Sequence, residues 1–256
     1  MSLPLSNLSI IGDRKQSICE YIVLEDGNKK PRPTVIAIAG GTASGKTTLC
    51  RKIKESIGLE TDRVAIISQD SFYKVLSPEE RELARAGKYN FDNPEAFDKA
   101  LFIETIQKLR EGQSVNIPTY DYSTSSRTAE VEVVSEVDTI LVEGILVLSP
   151  EYVEAGLYDV KIFVDTDSDL RLLRRILRDQ KERGRSVESI LNQYLNQVKP
   201  SYDTYIKPCK RSADIVVPWS HYNAVAVKLI VRHIKHFLML CESHSNSSES
   251  SDDMMF

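Results

Sequence analysis

The sequence predicts an α/β fold in which helices flank a central parallel sheet. Five short runs are almost continuously apolar and do not alternate regularly with polar residues, which is typical of strands buried on both faces of a parallel sheet. Helical patterns lie between and after these runs, so the order is β-α-β and right-handed crossovers are expected. The 256 residues suffice for one domain of this kind with a lid.

Each predicted strand or helix ends where the apolar run or the helical periodicity ends. The segment 114–134 differs from this strand–helix order. It contains a stretch in which apolar and polar residues alternate, which predicts a β-hairpin beside the sheet. We expect a flexible segment over 1–32, a loop at 28–33, one domain over 33–242 and a disordered Ser-rich acidic tail over 243–256. The predicted strands are 35–39, 64–67, 139–142, 160–164 and 215–217, and the predicted helices are 47–57, 94–111, 169–181, 187–198 and 224–240.

The composition excludes some classes of protein. Basic residues number 33 and acidic residues 37, a balance that argues against a general nucleic-acid binder. The apolar runs are shorter than the ~18 residues of a membrane span, and no secretory signal pattern is visible, so we expect a cytoplasmic protein without membrane association. The four cysteines lie far apart and predict reduced thiols: Cys19, Cys50, Cys209 and Cys241.

Residues 40–47 match the phosphate-loop motif G-x-x-x-x-G-K-[ST] between a predicted strand and a predicted helix. The glycines let the backbone bend around a phosphate, and the helix N-terminus adds partial positive charge. Lys46 would reach the β- and γ-phosphates, and Thr47 would supply a hydroxyl to Mg²⁺. The motif predicts a P-loop NTPase fold without specifying the reaction. Its residues are Gly40, Gly41, Thr42, Ala43, Ser44, Gly45, Lys46 and Thr47.

Two acidic residues follow predicted strands. Asp70 comes after 64–67 and Glu143 after 139–142. Ligands of open α/β sheets bind at the carboxyl ends of strands, so both acids should face the phosphate loop, Asp70 from the neighbouring strand–helix junction. Asp70 is a candidate general base, Mg²⁺ ligand or helix cap, and Glu143 a candidate Mg²⁺ ligand or a solvated strand end. The guanine-reading and switch motifs of signalling GTPases, NKxD and DxxG, do not occur, which favours a kinase.

A run of arginines lies between 171 and 185. The first four have helical spacing and share a face, and the last two flank Gly184 in a loop expected to be mobile. Such a face also fits a solvated surface, with Asp179 among the interleaved acids that neutralise it in part. Phosphoryl transfer needs cations and the exclusion of water, so we favour an Arg-rich helical lid over about 169–200. The arginines are Arg171, Arg174, Arg175, Arg178, Arg183 and Arg185.

Seven segments together, spanning about 34–235, resemble the uridine-cytidine kinase family of P-loop kinases. The phosphate loop is shared by many proteins, but the combined set is specific. The segments are GGTASGKTT (40–48), SQDSFY (68–73), YNFDNPEAFD (89–98), IPTYDY (117–122), EGIL (143–146), FVDTD (163–167) and the run RRILRD…ERGR (174–185).

The resemblance implies ATP-dependent phosphorylation of the 5′-hydroxyl of uridine and cytidine to UMP and CMP, a step of pyrimidine nucleoside salvage. It implies ATP and Mg²⁺ as cofactors, a small nucleoside as substrate and a homotetramer. Asp70 would be the catalytic base, and Asp92 would bind the ribose hydroxyls. The remaining implied contacts are Tyr73, Tyr120, Tyr122, Ser125, Arg175, Arg185 and Gln193 for the nucleoside, Thr48, Arg178 and Arg183 for ATP, and Thr47 with Glu143 for Mg²⁺.

Two positions depart from the family pattern. Ser125 stands where the family usually carries a His that reads the 4-position of the pyrimidine, although a hydroxyl can also donate or accept a hydrogen bond. The sequence Pro-Trp-Ser-His at 218–221 stands where the family usually has Pro-Arg-Gly, in a loop expected near the adenine.

Two alternatives stay open at this stage. A related P-loop kinase for another small alcohol, such as pantothenate or a sugar phosphate, shares the loop and the acid but not the Asp92 turn beside a hairpin with Tyr120. A nucleotide-binding regulator without turnover would be favoured by the loss of an acid, but Asp70 and Glu143 are both present.

Overall fold

The computed structural model describes residues 21–23, 29–57, 63–122 and 124–249. Most strands form where the sequence predicts them, and each strand of the central sheet starts within one residue of its predicted position. The strands are β1 (Tyr21–Val23), β2 (Lys29–Pro31), β3 (Thr34–Ala39), β4 (Val64–Ser68), β5 (Val115–Asp121), β6 (Ser126–Val134), β7 (Thr139–Gly144), β8 (Val160–Asp165) and β9 (Ile215–Pro218).

The centre of the fold is a five-stranded parallel sheet with the order β4-β7-β3-β8-β9. This confirms the predicted α/β class. It also corrects one expectation, because β4, which leads to Asp70, is not the neighbour of β3 in the sheet. β7 lies between them: all its residues are buried, whereas β4 is partly exposed, as suits an edge strand.

Helices cover both faces of the sheet. In β3, Ile36 and Ile38 point to the face covered by α1 and α8, whereas Val35 and Ala37 point to the face that carries α3 and the hairpin base. Successive side chains of β3 pack into two different cores, so every position is buried. This explains why its sequence is continuously apolar. The helices are α1 (Lys46–Ile57), α2 (Pro78–Arg85), α3 (Lys99–Arg110), α4 (Pro150–Glu154), α5 (Ser168–Arg183), α6 (Val187–Gln193), α7 (Lys199–Ser201) and α8 (Ala224–Glu249).

The helix predicted over 94–111 is two elements. A 3₁₀ turn at Pro94–Ala96 ends at Phe97, whose backbone is extended and pairs with Tyr73. α3 then starts afresh, with Asp98 as its N-cap accepting a hydrogen bond from the Leu101 N–H at 3.2 Å. The Phe97 ring stacks on Tyr73 at 4.5 Å, so aromatic packing interrupts the helix here.

The helix predicted over 187–198 extends further and is irregular. α6 passes into π-helical turns at Tyr194–Val198 and Tyr202–Ile206, on either side of α7. Pro200 has no N–H to donate, and the wider turns accommodate a residue that would break a regular α-helix. α2 and α4 were not predicted, although Ser77 and Glu80 form a capping box at the start of α2.

Both ends of the domain differ from expectation. The loop predicted at 28–33 contains β2, which pairs with β1 in a small antiparallel sheet. α8 runs to Glu249, past the expected start of the tail at 243, because 224–249 contain neither Gly nor Pro. The predicted flexible residues 1–20 and 24–28 and the tail residues 250–256 lie outside the described residues.

The predicted hairpin is present. β5 and β6 pair antiparallel, with a register shift between Pro118 and Tyr120. The base of the hairpin packs on the sheet through Val115, Ile117 and Val134. Its tip, with Tyr120 and Ser125, therefore reaches towards the carboxyl ends of the strands, where the candidate site lies.

Candidate active site

The phosphate loop joins β3 to α1, and its backbone shape depends on left-handed residues. Ala43 has a φ of +56° and Gly45 a φ of +100°. A Cβ at Gly45 would overlap the indole ring of Trp219, a buried side chain at the end of β9. The Trp219 carbonyl accepts a hydrogen bond from Thr166 Oγ1 at 3.1 Å, and that hydroxyl also lies 2.9 Å from the Ser44 carbonyl. The loop is thus held in shape from the opposite half of the sheet.

Lys46 lies at the start of α1 and is buried. Its Nζ donates to the Gly41 carbonyl at 3.0 Å, so the ammonium is folded back over the loop. Burial lowers the pKa of Lys46, and the charges of Glu143 and Asp70 oppose this effect. A cation held against the loop backbone is placed for phosphate oxygens.

Glu143, at the end of β7, meets two hydroxyls. Its Oε1 accepts hydrogen bonds from Thr47 Oγ1 at 3.0 Å and Ser68 Oγ at 3.3 Å. Burial raises the pKa of Glu143, with the charge of Lys46 opposing. Ser68 was missed by the sequence interpretation, although it ends β4 directly before the segment that carries Asp70.

These oxygens fit a magnesium ion bound jointly with a nucleotide. Within the described chain no group of three or more His, Cys, Asp and Glu side chains is placed to hold a metal. Mg²⁺ in phosphoryl-transfer sites commonly takes only one or two protein oxygens, with phosphates and water as the other ligands. The donor set of Thr47, Ser68 and Glu143 suits that arrangement.

Asp70 lies in a 3₁₀ turn after β4. The Ser68 side chain caps this turn by accepting from the Asp70 N–H at 3.4 Å, so Asp70 itself is not the cap. The Asp70 carboxylate instead accepts a hydrogen bond at Oδ2 from the Tyr122 hydroxyl at 2.8 Å. Of the three roles that the sequence left open, the cap is therefore wrong.

Asp92 is buried at the other end of the cleft. Its Oδ2 has no hydrogen-bond partner among the described residues. Burial raises the pKa of Asp92 from 3.8 to about 6, against the opposing charge of Arg175. A buried acceptor without a partner is costly, which points to a ligand that donates hydrogen bonds.

Aromatic rings line the wall beside Asp92. The Tyr73 ring contacts Phe91 at 5.4 Å and Tyr120 at 4.9 Å between centroids. Burial raises the pKa of Tyr120 to about 12, and its hydroxyl interacts with Ser125 at the hairpin tip. The rings give this end of the cleft flat walls, as suits a planar base.

The arginines divide into two groups. Arg171 and Arg174 serve the structure: the first donates to the Thr166 carbonyl and lies over the Tyr202 ring, and the second donates to the Trp219 carbonyl. The other four surround the fully buried Asp179, with side-chain nitrogens 2.9 to 3.8 Å from its oxygens. These four are Arg175, Arg178, Arg183 and Arg185.

Gln193, on α6, joins two of these arginines. Its Oε1 accepts from Arg175 Nη2 at 2.6 Å and from Arg185 Nη1 at 3.2 Å. Arg175 Nη1 also lies 3.3 Å from Thr42 Oγ1 in the phosphate loop. The helical lid, α5 with α6, is thereby tied to the loop that it covers.

A single cleft of about 800 Å³ collects nearly all of these groups. Of the residues predicted for the site, only Gly40, Gly41 and Ser44 do not line it; Ser44 is fully buried. The cleft also includes residues to which the sequence interpretation assigned no role, although Phe91 and Ile145 lie inside the recognised segments. These are Arg51, Phe91, Ile145 and Tyr222.

A phosphate loop, two carboxylates beside it and an Arg-rich helix that lines the same cleft are the features of a P-loop kinase. Comparison with known families gives the same result. The model of the Phosphoribulokinase / Uridine kinase family matches residues 35–226, and the chain belongs to this family.

Two curated relatives are similar over most of their length. The chain is 44% identical over 219 residues to uridine-cytidine kinase 2-B of Danio rerio, covering 84% of each chain. It is 45% identical over 228 residues to uridine-cytidine kinase B of Dictyostelium discoideum, covering 89% of this chain and 92% of that one. The resemblance seen in the sequence is confirmed.

Solved structures share the fold at low identity. Phosphoribulokinase from Rhodobacter spheroides superposes with a TM-score of 0.56 at 21% identity, covering 73% of this chain and 70% of that one. D-glycerate 3-kinase from Cryptococcus neoformans gives 0.53 at 19%, covering 71% and 81%. Among the described helices, none has the length and apolar character to span a membrane.

Proposed function

We propose that this kinase transfers the γ-phosphate of ATP to the 5′-hydroxyl of uridine and cytidine, forming UMP and CMP. The observation that carries the proposal is the division of one cleft into a phosphate-binding end and an aromatic end that carries Asp92. Asp70 lies near both ends, since its charge acts on Lys46 and on Asp92. The names and high identity of the curated relatives support pyrimidine nucleosides as the substrates.

The nucleoside would bind at the aromatic end. Asp92, with an unpartnered oxygen, would accept hydrogen bonds from the ribose hydroxyls. Tyr73 and Tyr120 would wall the base, and Ser125 would face its polar edge. Arg175 and Arg185 would close this end from the lid, held by Gln193.

ATP would bind at the other end, with its phosphates on the loop and its purine towards Trp219 and Tyr222. Arg178 and Arg183 would contact the phosphates from the lid. Thr47 and Glu143, with Ser68, would hold Mg²⁺, which neutralises phosphate charge when it is bound.

Asp70 would act as the general base. Its carboxylate takes the proton of the attacking hydroxyl as that oxygen forms a bond to the γ-phosphorus, and the bond from this phosphorus to the bridging oxygen of ADP breaks. Lys46 and the lid arginines stabilise the charge on the transferring group.

A steady-state assay with Asp70→Asn tests this function. Asparagine keeps the shape of the side chain but cannot accept the proton, so we expect kcat to fall by ~10²–10⁴-fold while uridine binding survives. Asp203→Asn, an exposed change on the outer surface, is the matched control and should leave kcat unchanged.

The wild-type chain should use uridine and cytidine in preference to purine nucleosides, pantothenate and sugar phosphates. If the chain phosphorylates one of these other alcohols but neither uridine nor cytidine, the proposal is wrong and the protein is a kinase for that alcohol. ATP binding without turnover of any of them would leave a nucleotide-binding regulator. A loss of less than about threefold in Asp70→Asn would remove Asp70 from the role of base.

Two wider expectations stay predictions. The homotetramer implied by the resemblance is checked by light scattering of the purified chain. The cytoplasmic location is checked by cell fractionation.

A further inference from the structure

Tyr122 makes contacts that a simple wall of the base pocket does not require. Its hydroxyl donates to Asp70 Oδ2 at 2.8 Å, across 52 positions of sequence. The guanidinium of Arg183 lies over its ring at 4.3 Å from the centroid. The Tyr120 ring meets it edge-on at 5.4 Å. One side chain thus contacts the proposed base, the lid and the aromatic pocket.

The hydrogen bond from Tyr122 gives the Asp70 carboxylate a defined orientation. Asp70 lines the cleft, and among the described residues none donates a hydrogen bond to its Oδ1, so this oxygen can accept one from a bound substrate. A general base works best when its accepting oxygen is fixed within hydrogen-bond reach of the reacting hydroxyl. A side chain that could rotate freely would spend less time in that position.

The tyrosine can orient the carboxylate without taking over its chemistry. Burial and the nearby charge of Asp70 raise the pKa of Tyr122 well above its ordinary value. The phenol therefore keeps its proton at neutral pH and remains a hydrogen-bond donor to Asp70.

The contact with Arg183 adds the lid to this arrangement. Arg183 ends α5 and lies 3.6 Å from the buried Asp179, so its position is set by the lid. A cation over the ring face is attracted to it and restrains the ring plane. The ring therefore has a fixed plane when the lid covers the cleft.

We propose that Tyr122 is a positioning residue, which orients the Asp70 carboxylate through its hydroxyl and takes its own orientation from Arg183 of the lid. This role rests on the proposed function of Asp70 as the base. It differs from the role of base-pocket wall that the sequence suggested, because it acts on the phosphoryl-transfer step and not on nucleoside affinity.

The test is Tyr122→Phe, alone and combined with Asp70→Asn, in the full-length chain. Phenylalanine keeps the ring under Arg183 and against Tyr120 and removes only the hydroxyl. We expect kcat to fall about tenfold, with KM for uridine and for ATP each within twofold of the wild type. In the Asp70→Asn background the same change should alter kcat by less than twofold, since the group through which it acts is already lost.

Tyr205→Phe is the matched control, because it removes a tyrosine hydroxyl outside the cleft and should leave all constants unchanged. An equal fall in kcat in both backgrounds would overturn the proposal, since it would mean that Tyr122 acts independently of Asp70. A raised KM for uridine at unchanged kcat would also overturn it and return Tyr122 to the pocket wall. These outcomes are separate from failure of the proposed function, which Asp70→Asn alone decides.

Discussion

At the scale of single residues, Asp92 links the electrostatics of the site to the binding of its substrate. A carboxylate accepts hydrogen bonds at both oxygens, whereas a carboxylic acid donates one proton and accepts less. Because burial raises the pKa of Asp92 to about 6, this change falls within an accessible pH range. The charged groups that act on it are Arg175, Asp70, Lys46 and Arg178.

We therefore predict that uridine affinity falls as the pH drops from 7 to 5, with a midpoint near 6, as measured by isothermal titration calorimetry. Asp92→Asn should bind uridine more weakly and lose this pH dependence. ATP affinity should change much less in both proteins. A pH dependence that persists unchanged in Asp92→Asn would assign it to another group.

The raised pKa of Asp92 also affects the stability of the protein without ligand. In the native state the Asp92 carboxyl keeps its proton up to about pH 6, whereas in the unfolded chain it loses the proton near 3.8. The native state binds more protons in this window, so stability from this group is lost as the pH rises from about 4 to about 6.

The sequence alone predicted the roles of some residues but not of others. The loop motif located Lys46 and Thr47 because their spacing is set by the geometry of the phosphate itself. Asp92 was found only through the resemblance, since Phe-Asp-Asn-Pro reads locally as a turn, and its burial arises from distant packing. For Asp70 the sequence allowed three roles: general base, Mg²⁺ ligand and helix cap. The structure excludes the cap, because Ser68 caps this turn.

At the scale of elements, the lid is organised around one acid. Asp179 is fully buried among four arginines, and its backbone carbonyl accepts from the Arg185 N–H at 3.1 Å. Gly184, at a φ of +61°, ends α5 and turns the chain back so that Arg185 reaches this point. Helical spacing predicted that the arginines share a face. It did not predict their cluster around Asp179, because Arg185 follows the end of α5.

We predict that Asp179→Ala destabilises the protein by about 3–5 kcal/mol, measured by urea denaturation, because four buried or half-buried cations lose their common partner. KM for ATP should rise in the same variant, as the lid arginines separate. Asp169→Ala is the matched control on the same helix: it is exposed in the first turn and should cost less than about 1 kcal/mol. Equal costs for the two changes would contradict a central role for Asp179.

The elements also show where sequence patterns suffice. The five strands of the central sheet were predicted because burial on two faces leaves a run of apolar residues that few other structures require. The interruption at Phe97 was not predicted, because it depends on a partner outside the local window, and the π-helical turns around Pro200 were not predicted either. For Phe97 that partner is Tyr73.

At the scale of the whole molecule, the order of the strands creates the site. β7 and β4 place Glu143 and Ser68 side by side, and β3 feeds the phosphate loop next to them. The sequence indicated that these strand ends would meet but not their order, because each strand is apolar enough to occupy several positions. The far half of the sheet contributes as well, through Trp219 against Gly45.

Trp219 is the only tryptophan in the chain. Selective excitation of tryptophan therefore reads out one buried indole that touches the phosphate loop, without any added label. We expect ATP to change the emission of the wild-type protein in a saturable way, and Trp219→Phe to abolish the signal. Emission that stays constant at saturating ATP would mean that the loop binds nucleotide without disturbing the indole. With the expected response, stopped-flow fluorescence would time the arrival of ATP separately from phosphoryl transfer.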